Sequence, residues 1–374
     1  MKSRKLACFL GVLSAACCLA GEPQTQQNTL RSAAKNRVLI GTALASWDLR
    51  NPALAKIVAE QFSCITPENE MKPQALQSTK GQFNFQRADV IADFAKQHGQ
   101  MVIGHTLCWH QQCPKWFFED EKGNPLGREQ ALANLHDHIQ TVMTHFKGRV
   151  HGWDVVNEVI DDNPEKYLRN TPARRAIGDD YILKAFEFAH QADPDAELYY
   201  NDYGIERGSK LQHAIRLVRE IKAAGLRIDG VGVQGHFLLD FPATEAIESG
   251  VKALSELNVQ VMITELDVDP LPRQRANAGA DLNAQEKSAD PYKQGLPDEL
   301  QKQLALRYQN IISGLLKNPH VTRITIWGTH DGRSWLNDWP VRGRTNHALL
   351  WDRQLQPKPA YFAVRDALSD LSNP

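Results

Sequence analysis

Several classes of protein leave marks that this sequence lacks. Only 6 of its 374 residues are cysteine, and three of these, Cys64, Cys108 and Cys113, lie beyond the apolar N-terminal stretch. Three cysteines are too few for a disulfide framework and cannot all pair. The formal net charge is −1, so no basic excess would attract nucleic acid or an anionic membrane. An uncharged polymer suits this balance better as a partner.

No apolar run in the sequence is long enough to cross a bilayer as a helix. The best candidate extends from Leu6 to Ala20, about fifteen residues against the ~20 that a span needs. A short apolar run behind a basic start is typical of a signal peptide. We therefore predict a signal peptide over 1–20, a polar segment over 21–36 and a single domain over 37–372 in an exported protein, either secreted or periplasmic. Two cysteines near the end of the apolar run leave a lipid-anchored product open.

From residue 38 onward, apolar runs rich in β-forming residues alternate with longer segments of helical period. In 128–147, for example, large apolar residues recur at three- and four-residue steps, as on one face of a helix. Helices are also predicted over 208–224, with Gly225 as C-cap, and over 298–317. Eight strands are predicted, over 38–46, 63–69, 101–110, 150–159, 197–205, 230–237, 259–268 and 323–331.

The predicted strands are nearly continuous apolar runs, as in a parallel sheet that helices cover. Eight such strand–helix units predict a single-domain α/β fold, the (β/α)8 TIM barrel, in which the chemistry lies at the C-terminal ends of the strands. A doubly wound open sheet is the competing architecture, but no Gly-x-Gly-x-x-Gly follows the first strand. The polar segment 269–297 directly follows the seventh strand, and we expect this long loop to overhang the active face.

The ends of six predicted strands carry amides, carboxylates, imidazoles and indoles. These residues are Glu68, Asn69, Lys72, His105, Trp109, Gln112, Asn157, Glu158, Gln234, His236, Glu265, Asp267, Trp327 and Trp335. In a barrel they would meet at one face, where polar groups can bind sugar hydroxyls and indoles can stack on sugar rings. The pattern includes neither the glycine-rich backbone of a phosphate site nor metal-ligand spacing, so we predict no metal and no cofactor.

Two of these residues stand out because each ends a strand-forming run in a carboxylate. Glu158 ends Trp153–Glu158, and Glu265 lies in Ile263–Asp267. Cleavage of a glycosidic bond requires two carboxyl groups, one as proton donor and one as nucleophile or base. We interpret Glu158 and Glu265 as such a catalytic pair.

The same stretches carry a resemblance to a known family. The sequence resembles the xylanases of glycoside hydrolase family 10, in the family's order and over almost the whole chain beyond the signal peptide. The matching stretches are Thr66–Lys72, Gly104–His110, Trp153–Glu158, Gly232–Phe237, Ile263–Asp267 and Trp327–Trp335.

The resemblance implies an endo-1,4-β-xylanase (EC 3.2.1.8) that acts on xylan and xylo-oligosaccharides by a retaining double displacement. Glu158 would be the general acid/base, and Glu265 would be the nucleophile that forms the glycosyl-enzyme. The negative charge of Glu265 should help to keep Glu158 protonated until that intermediate forms.

The resemblance also implies roles for the neighbouring residues. Asn157 would hold the 2-hydroxyl of the sugar that is cleaved, and His236 with Asp267 would keep the nucleophile ionised and oriented. Gln112 and Trp335 would crowd the position of a glucose hydroxymethyl group, which favours xylose. The residues implied to bind substrate are Glu68, Asn69, Lys72, His105, Trp109, Gln112, Gln234, Trp327 and Trp335.

Small departures from the family pattern, around Gln111, Cys113 and Thr329–His330, bear on subsite detail and not on the reaction. Two other functions stay open: a retaining β-1,4-glucanase or mannanase on the same barrel, and a non-catalytic xylan-binding protein. The presence of both carboxylates disfavours the second. We expect a monomer with no nucleic-acid partner and no membrane span.

Overall fold

The structure is a computed structural model that describes residues 28–273 and 290–370. The predicted signal peptide and most of the predicted loop over 269–297 lie outside the described residues. Within the described part, no helix is long and apolar enough to cross a membrane.

Eight parallel strands form a closed barrel. In chain order they are β1 (Leu39–Leu44), β2 (Cys64–Pro67), β3 (Met101–Trp109), β4 (Gly152–Asn157), β5 (Glu197–Asp202), β6 (Gly230–Val233), β8 (Gln260–Asp269) and β9 (Val321–Ile326). The label β7 belongs to a short additional strand (His236–Leu238) between β6 and β8 in the chain. Each strand pairs with its neighbour along the chain, β9 pairs with β1, and the pairing of β6 with β8 continues the ring. The predicted (β/α)8 barrel is confirmed.

Helices lie outside the barrel, before, between and after the strands. They are α1 (Leu30–Ala33), α2 (Pro52–Gln61), α3 (Pro73–Leu76), α4 (Gln86–Gln97), α5 (Arg128–Phe146), α6 (Pro172–Ile177), α7 (Tyr181–Ala192), α8 (Gly208–Ala223), α9 (Thr244–Ser255), α10 (Asp298–Leu316) and α11 (Pro359–Ser369). The three helices predicted from periodicity correspond to α5, α8 and α10. After α8 the chain reverses at Gly225, whose φ of 73° suits a glycine.

The apolar face of α5 shows why these helices form where they do. Leu135, Ile139, Val142 and Phe146 are buried against the barrel, and Leu132 lies half-buried at the edge of that contact. Each fully buried side chain of this size stabilises the fold by about 1.5–3 kcal/mol relative to an exposed position. The spacing of these residues therefore fixes both the helix and the side of it that faces the sheet.

One predicted strand differs from the structure. The strand predicted over 230–237 is not continuous, because the structure divides it into β6 and a short strand β7 (His236–Leu238), which pairs with β8. The break falls at Gly235, where φ is 84° and a Cβ atom would lie 2.8 Å from a methyl group of Ile263. The turn places His236 beside Asp267, in the C-terminal part of β8.

The N-terminal part of the described chain packs on the barrel. Thr29 caps α1 by accepting a hydrogen bond from the Ser32 amide, and Leu30 and Ala33 of that helix are buried. Buried structure thus begins before residue 37, and the exact start of the domain stays a prediction. Cys64 and Cys108 are buried free thiols, as expected of small apolar side chains inside strands.

Candidate active site

Thirteen of the fourteen predicted site residues line one open cleft at the C-terminal ends of the strands. They are Glu68, Asn69, Lys72, His105, Trp109, Gln112, Asn157, Glu158, Gln234, His236, Glu265, Trp327 and Trp335. Asp267 lies behind the cleft wall, where it contacts His236 and Trp335. Parallel strands place their carboxyl ends on the same rim, so residues far apart in sequence become neighbours here.

Glu158 follows the last residue of β4 and lies in the left-handed region, with φ of 56°. Its amide donates to the Asn201 carbonyl (2.9 Å). Its carboxyl oxygens accept from the Trp109 indole (2.8 Å) and the Gln234 amide (3.0 Å). A side chain held on both oxygens faces the cleft in one orientation.

The environment of Glu158 favours its protonated form. Burial, and next the charge of Asp202, raise its pKa from 4.5 to about 7, while the hydrogen bonds from Gln234 and Trp109 act in the opposite direction. The charge of Glu265 also raises this pKa, as expected, but it contributes least of the named causes. Glu265 thus acts in the expected direction, but burial and Asp202 raise this pKa more.

Glu265, within β8, has the opposite electrostatic character. Its Oε1 accepts from the Asn201 amide (2.8 Å), and its Oε2 lies 3.3 Å from Nε2 of His236. Burial alone would raise the pKa of Glu265, but the bond to His236 and the nearby imidazoles, together with Asn201, lower it below its usual value. One cleft thus contains one carboxyl group that holds its proton and one that releases it, the division of roles that acid–nucleophile pairs need.

His236 connects the nucleophile candidate to Asp267. Its Nδ1 lies 3.0 Å from Oδ2 of Asp267, while its Nε2 faces Glu265. Burial opposes the charge on this imidazole, yet the two carboxylates raise its pKa to about 9. The same Asp267 oxygen accepts from the Trp335 indole (2.7 Å), whose ring stacks on Trp339 at 4.4 Å. The wall of the cleft is therefore held by a chain of hydrogen bonds.

Sequence reasoning missed two polar residues at the end of β5. Asn201 donates to both Asn157 (2.9 Å) and Glu265 (2.8 Å), and its own oxygen accepts from Thr264 (2.6 Å). If the Asn157 amide is turned over, its nitrogen donates instead to the Asn201 carbonyl at 3.1 Å. The next residue, Asp202, is the charge that raises the pKa of Glu158. Both could have been found by applying the strand-end rule to the fifth strand.

A second group of polar residues lies on the β2 and β3 side of the cleft. Lys72 donates to Gln112 (2.7 Å) and Asn69 (3.1 Å), and its ammonium lies 4.9 Å from the centre of the Trp109 ring. Burial lowers the pKa of Lys72, and the carboxylates around it, Glu265 first, partly offset this effect. Gln112 also donates to Asn69 (3.0 Å), so its amide is fixed from both ends.

His105 and Trp327 form the floor between these two groups. Nδ1 of His105 lies 2.9 Å from Oδ2 of Asp154, and its ring meets Trp327 edge to face at 5.5 Å. Asp154, which sequence reasoning did not select, therefore orients an imidazole that faces the cleft. Glu68 lies nearer the rim, and burial raises its pKa despite the neighbouring cations.

Residues that the sequence analysis did not assign to the site have structural contacts instead. Glu70 accepts from the Ser46 amide (2.6 Å), and Asp352 accepts from the amides of Gln354 and Gln356 (2.8 Å each). Over 28–273 and 290–370, no group of three histidine, cysteine or acidic side chains could hold a metal ion.

Comparison with known families identifies the class of protein. The sequence model of glycosyl hydrolase family 10 matches residues 29–367. The chain belongs to this family. Every residue of the cleft lies inside the matched range, so the family-10 match and the site geometry concern the same part of the chain.

Named family-10 relatives and solved structures extend over nearly the same length. An endo-1,4-β-xylanase A of Xylanibacter ruminicola is 41% identical over 339 residues, which are 89% of this chain and 91% of the relative. A solved family-10 endoxylanase from a sugarcane soil metagenome aligns with a TM-score of 0.87 at 39% identity, over 90% of this chain and 99% of that one. A much longer protein of Acetivibrio thermocellus, named exoglucanase XynX, is 39% identical over 85% of this chain and 28% of its own length.

Proposed function

We infer that this chain is an endo-1,4-β-xylanase that hydrolyses internal β-1,4-xylosidic bonds of xylan with retention at the anomeric carbon. The observation that carries this inference is the pair of carboxyl groups in one cleft whose pKa values are shifted in opposite directions, Glu158 to about 7 and Glu265 below its usual value. A retaining glycosidase requires an acid that is protonated and a nucleophile that is ionised at the same pH. The xylanase relatives support the substrate.

In the first step, the Glu265 carboxylate attacks the anomeric carbon while Glu158 donates its proton to the departing glycosidic oxygen. The bond between the anomeric carbon and that oxygen breaks, and an ester to Glu265 forms. In the second step, Glu158 accepts a proton from water, whose oxygen attacks the same carbon and releases Glu265. The enzyme returns to its starting protonation state.

The residues around Glu265 suit the support of this reaction. Charged His236 stabilises the carboxylate of Glu265, and Asp267 stabilises His236 in turn. We propose that the amide of Asn157, fixed by Asn201, binds the 2-hydroxyl of the sugar that is cleaved. Hydrogen bonds to this hydroxyl strengthen in the transition state and contribute several kcal/mol.

Selection of xylose over glucose is assigned to Gln112 and Trp335, as the family resemblance implies. Both side chains are fixed: Gln112 by Lys72 and Asn69, and Trp335 by Asp267. A side chain held in this way can make room for an added hydroxymethyl group only at the free-energy cost of breaking its hydrogen bonds. The other cleft residues would bind the remaining hydroxyls and ring faces of the glycone sugars.

A β-1,4-glucanase is the second candidate function because it would use the same carboxyl pair, and one relative bears an exoglucanase name. That name describes a protein of which this chain matches 28%, so it gives little support to glucan cleavage here. A non-catalytic xylan-binding protein would have no use for two carboxyl groups with opposed pKa shifts.

We propose further that the protein is exported and monomeric, and that the apolar run from Leu6 to Ala20 directs its export. Mass spectrometry of the exported product distinguishes cleavage near Gly21 from lipidation at Cys17 or Cys18. Sedimentation of that product tests the monomer. Recovery of the uncleaved chain inside the cell would contradict export.

The decisive experiment measures release of reducing sugar from glucuronoxylan and from carboxymethylcellulose by the exported chain. A Glu265→Gln variant should lose xylan activity by about 10⁴-fold or more, because the nucleophile is gone. A matched Glu256→Gln variant, changed at an exposed position at the end of α9, should keep full activity. Preference for the cellulose substrate would refute the assigned roles of Gln112 and Trp335, and inactivity on both would refute hydrolysis.

A further inference from the structure

Trp47 is the exposed tryptophan of this protein. All eight tryptophans lie within the described residues, and Trp47 alone is exposed, at 43%, while the others are buried or half-buried. It follows the C-terminal end of β1 and so lies on the face of the barrel where the cleft opens. Single exposed apolar residues are common, so its surroundings must decide whether it has a role.

Arg333 lies between Trp47 and the cleft. The guanidinium of Arg333 lies 5.2 Å from the centre of the Trp47 ring, and its Nη2 lies 4.0 Å from a carboxyl oxygen of Glu68. Glu68 lines the cleft, so one arginine head group spans the distance between the cleft and the indole. Glu158 follows β4, Glu68 follows β2 and Trp47 follows β1, so these three residues lie in this order around the rim of the barrel.

The loop that carries Trp47 is held in place. The Ala45 amide donates to Asp48 (2.9 Å), and the Ser46 amide donates to Glu70 (2.6 Å). Nε of Arg333 lies 2.9 Å from the other Asp48 oxygen. A pre-positioned indole loses little conformational entropy when a ligand covers it, which is a property of a binding platform.

The chemistry around Trp47 fits a sugar better than a protein partner. An apolar protein patch would place further apolar side chains beside the indole, whereas here a guanidinium, that of Arg333, faces the Trp47 ring and in turn contacts the carboxylates of Asp48 and Glu68. A pyranose offers C–H groups to an aromatic face and hydroxyl oxygens to guanidinium N–H donors.

We propose that Trp47 and Arg333 form an additional subsite that binds one more β-1,4-linked xylosyl residue beyond Glu68, on the non-reducing side. This subsite deepens the xylanase function proposed above and rests on it. Stacking of this kind contributes modestly, so removal of the indole should weaken binding of a long chain about two- to tenfold. Chains too short to reach Trp47 should bind as before.

The test measures dissociation constants by calorimetry for xylobiose through xylohexaose. The Glu265→Gln chain serves as the background because it does not consume the ligand. Trp47→Ala in this background should leave the shortest oligosaccharides unchanged and weaken the longer ones about two- to tenfold. Arg333→Met should act on the same lengths in the same direction. Phe362→Ala is the matched control, since Phe362 is 41% exposed on α11 with Arg365 5.2 Å from its ring.

Each result decides the proposal. Weakening that starts only above a certain chain length supports the subsite. Equal weakening at every length, or no change at any length, overturns it. If short oligosaccharides bind and Trp47→Ala changes nothing, the subsite fails while the xylan site stands. If no xylo-oligosaccharide binds even with Trp47 intact, the proposed function fails and the subsite fails with it.

Discussion

The acidity of Glu158 should change when a residue outside the cleft is replaced. Asp202, at the end of β5, is not among the described residues that line the cleft. Its carboxylate accepts from Lys210 (3.0 Å) and from the Tyr200 hydroxyl (2.6 Å). Asp202→Asn removes the charge and keeps the shape, and Lys210 retains its contact with Asp162 at 3.2 Å. The pKa of Glu158 should therefore fall while the fold persists.

The size of the effect follows from the causes that raise this pKa. A rise from 4.5 to about 7 corresponds to about 3 kcal/mol, with burial the largest cause and Asp202 the second. Two charges near each other at an effective dielectric constant of ~20 interact by about 1 kcal/mol or more. Loss of the Asp202 charge should thus lower the pKa of Glu158 by about half to one unit.

The assay is the pH dependence of kcat/KM on soluble xylan. Its alkaline limb reports the proton on Glu158 in the free enzyme and should lie near pH 7 in the unchanged protein. In Asp202→Asn the limb should move to lower pH, so that the rate above the limb falls about three- to tenfold. At acid pH, where Glu158 is protonated in both proteins, the rates should agree.

A matched control separates charge from packing. Asp162→Asn removes a carboxylate from the same lysine, but this side chain is 42% exposed, so solvent screens its charge. Asp162→Asn should therefore leave the alkaline limb of the kcat/KM profile at the same pH. If Asp202→Asn melts at the usual temperature and its limb stays or moves to higher pH, the electrostatic account of Glu158 is refuted.

Two further predictions concern the neighbours of the carboxyl pair. Nε of Arg169 donates to the Glu158 carbonyl at 3.1 Å, so Arg169→Met should lower kcat/KM on xylan about tenfold or more. The loss should be smaller on nitrophenyl xylobioside, because nitrophenol leaves with little acid assistance. Arg169→Lys should recover part of the loss, and equal losses on both substrates would contradict a positioning role for Arg169. The native pKa of His236 is raised from 6.5 to about 9, so its stabilising effect of about 3 kcal/mol is complete below pH 6.5 and is lost as the pH rises through about 9. Denaturant unfolding of His236→Asn should show a smaller fall in stability over this pH range than the unchanged protein, and parallel curves would exclude the linkage.

The weak effect of Glu265 on its partner has a consequence for the second half of the reaction. In the reaction that we propose, the charge of Glu265 disappears when the glycosyl-enzyme forms, but burial of Glu158 and the charge of Asp202 persist. We therefore expect the pKa of Glu158 to fall less in the intermediate than the charge of its partner alone would suggest. A pKa that stays near 7 still suits a general base toward water.

The barrel could be predicted from sequence because its evidence is local and repeated. Apolar runs of strand length alternate with helical periods such as that of α5, and each signal holds wherever the segment lies in the chain. Strand boundaries that fall inside one apolar run are harder to predict from the sequence. The strand predicted over 230–237 is divided at Gly235, where φ is positive and Ile263 of another strand leaves no room for a Cβ atom.

The residues of the site were predicted from the C-terminal ends of the strands. Thirteen of the fourteen chosen residues line the cleft, because a parallel barrel collects its C-terminal ends at one rim. No residue was selected at the ends of the first and fifth strands, so Asn201, Asp202 and Trp47 were not among the predicted site residues. Their partners are Glu265, Glu158 and Arg333, all distant in the sequence.

The sequence by itself therefore determined the fold class and predicted the rim at which the polar residues gather and the two carboxyl groups that we propose as the catalytic pair. Only the tertiary structure showed the physical causes that shift their pKa values in opposite directions. A pKa depends on how much water is excluded and on which charges lie within a few ångströms, and both are set by packing between strands. Tertiary contacts likewise brought Trp47 to the subsite proposed above, since its link to Glu68 runs through an arginine 286 positions later in the chain.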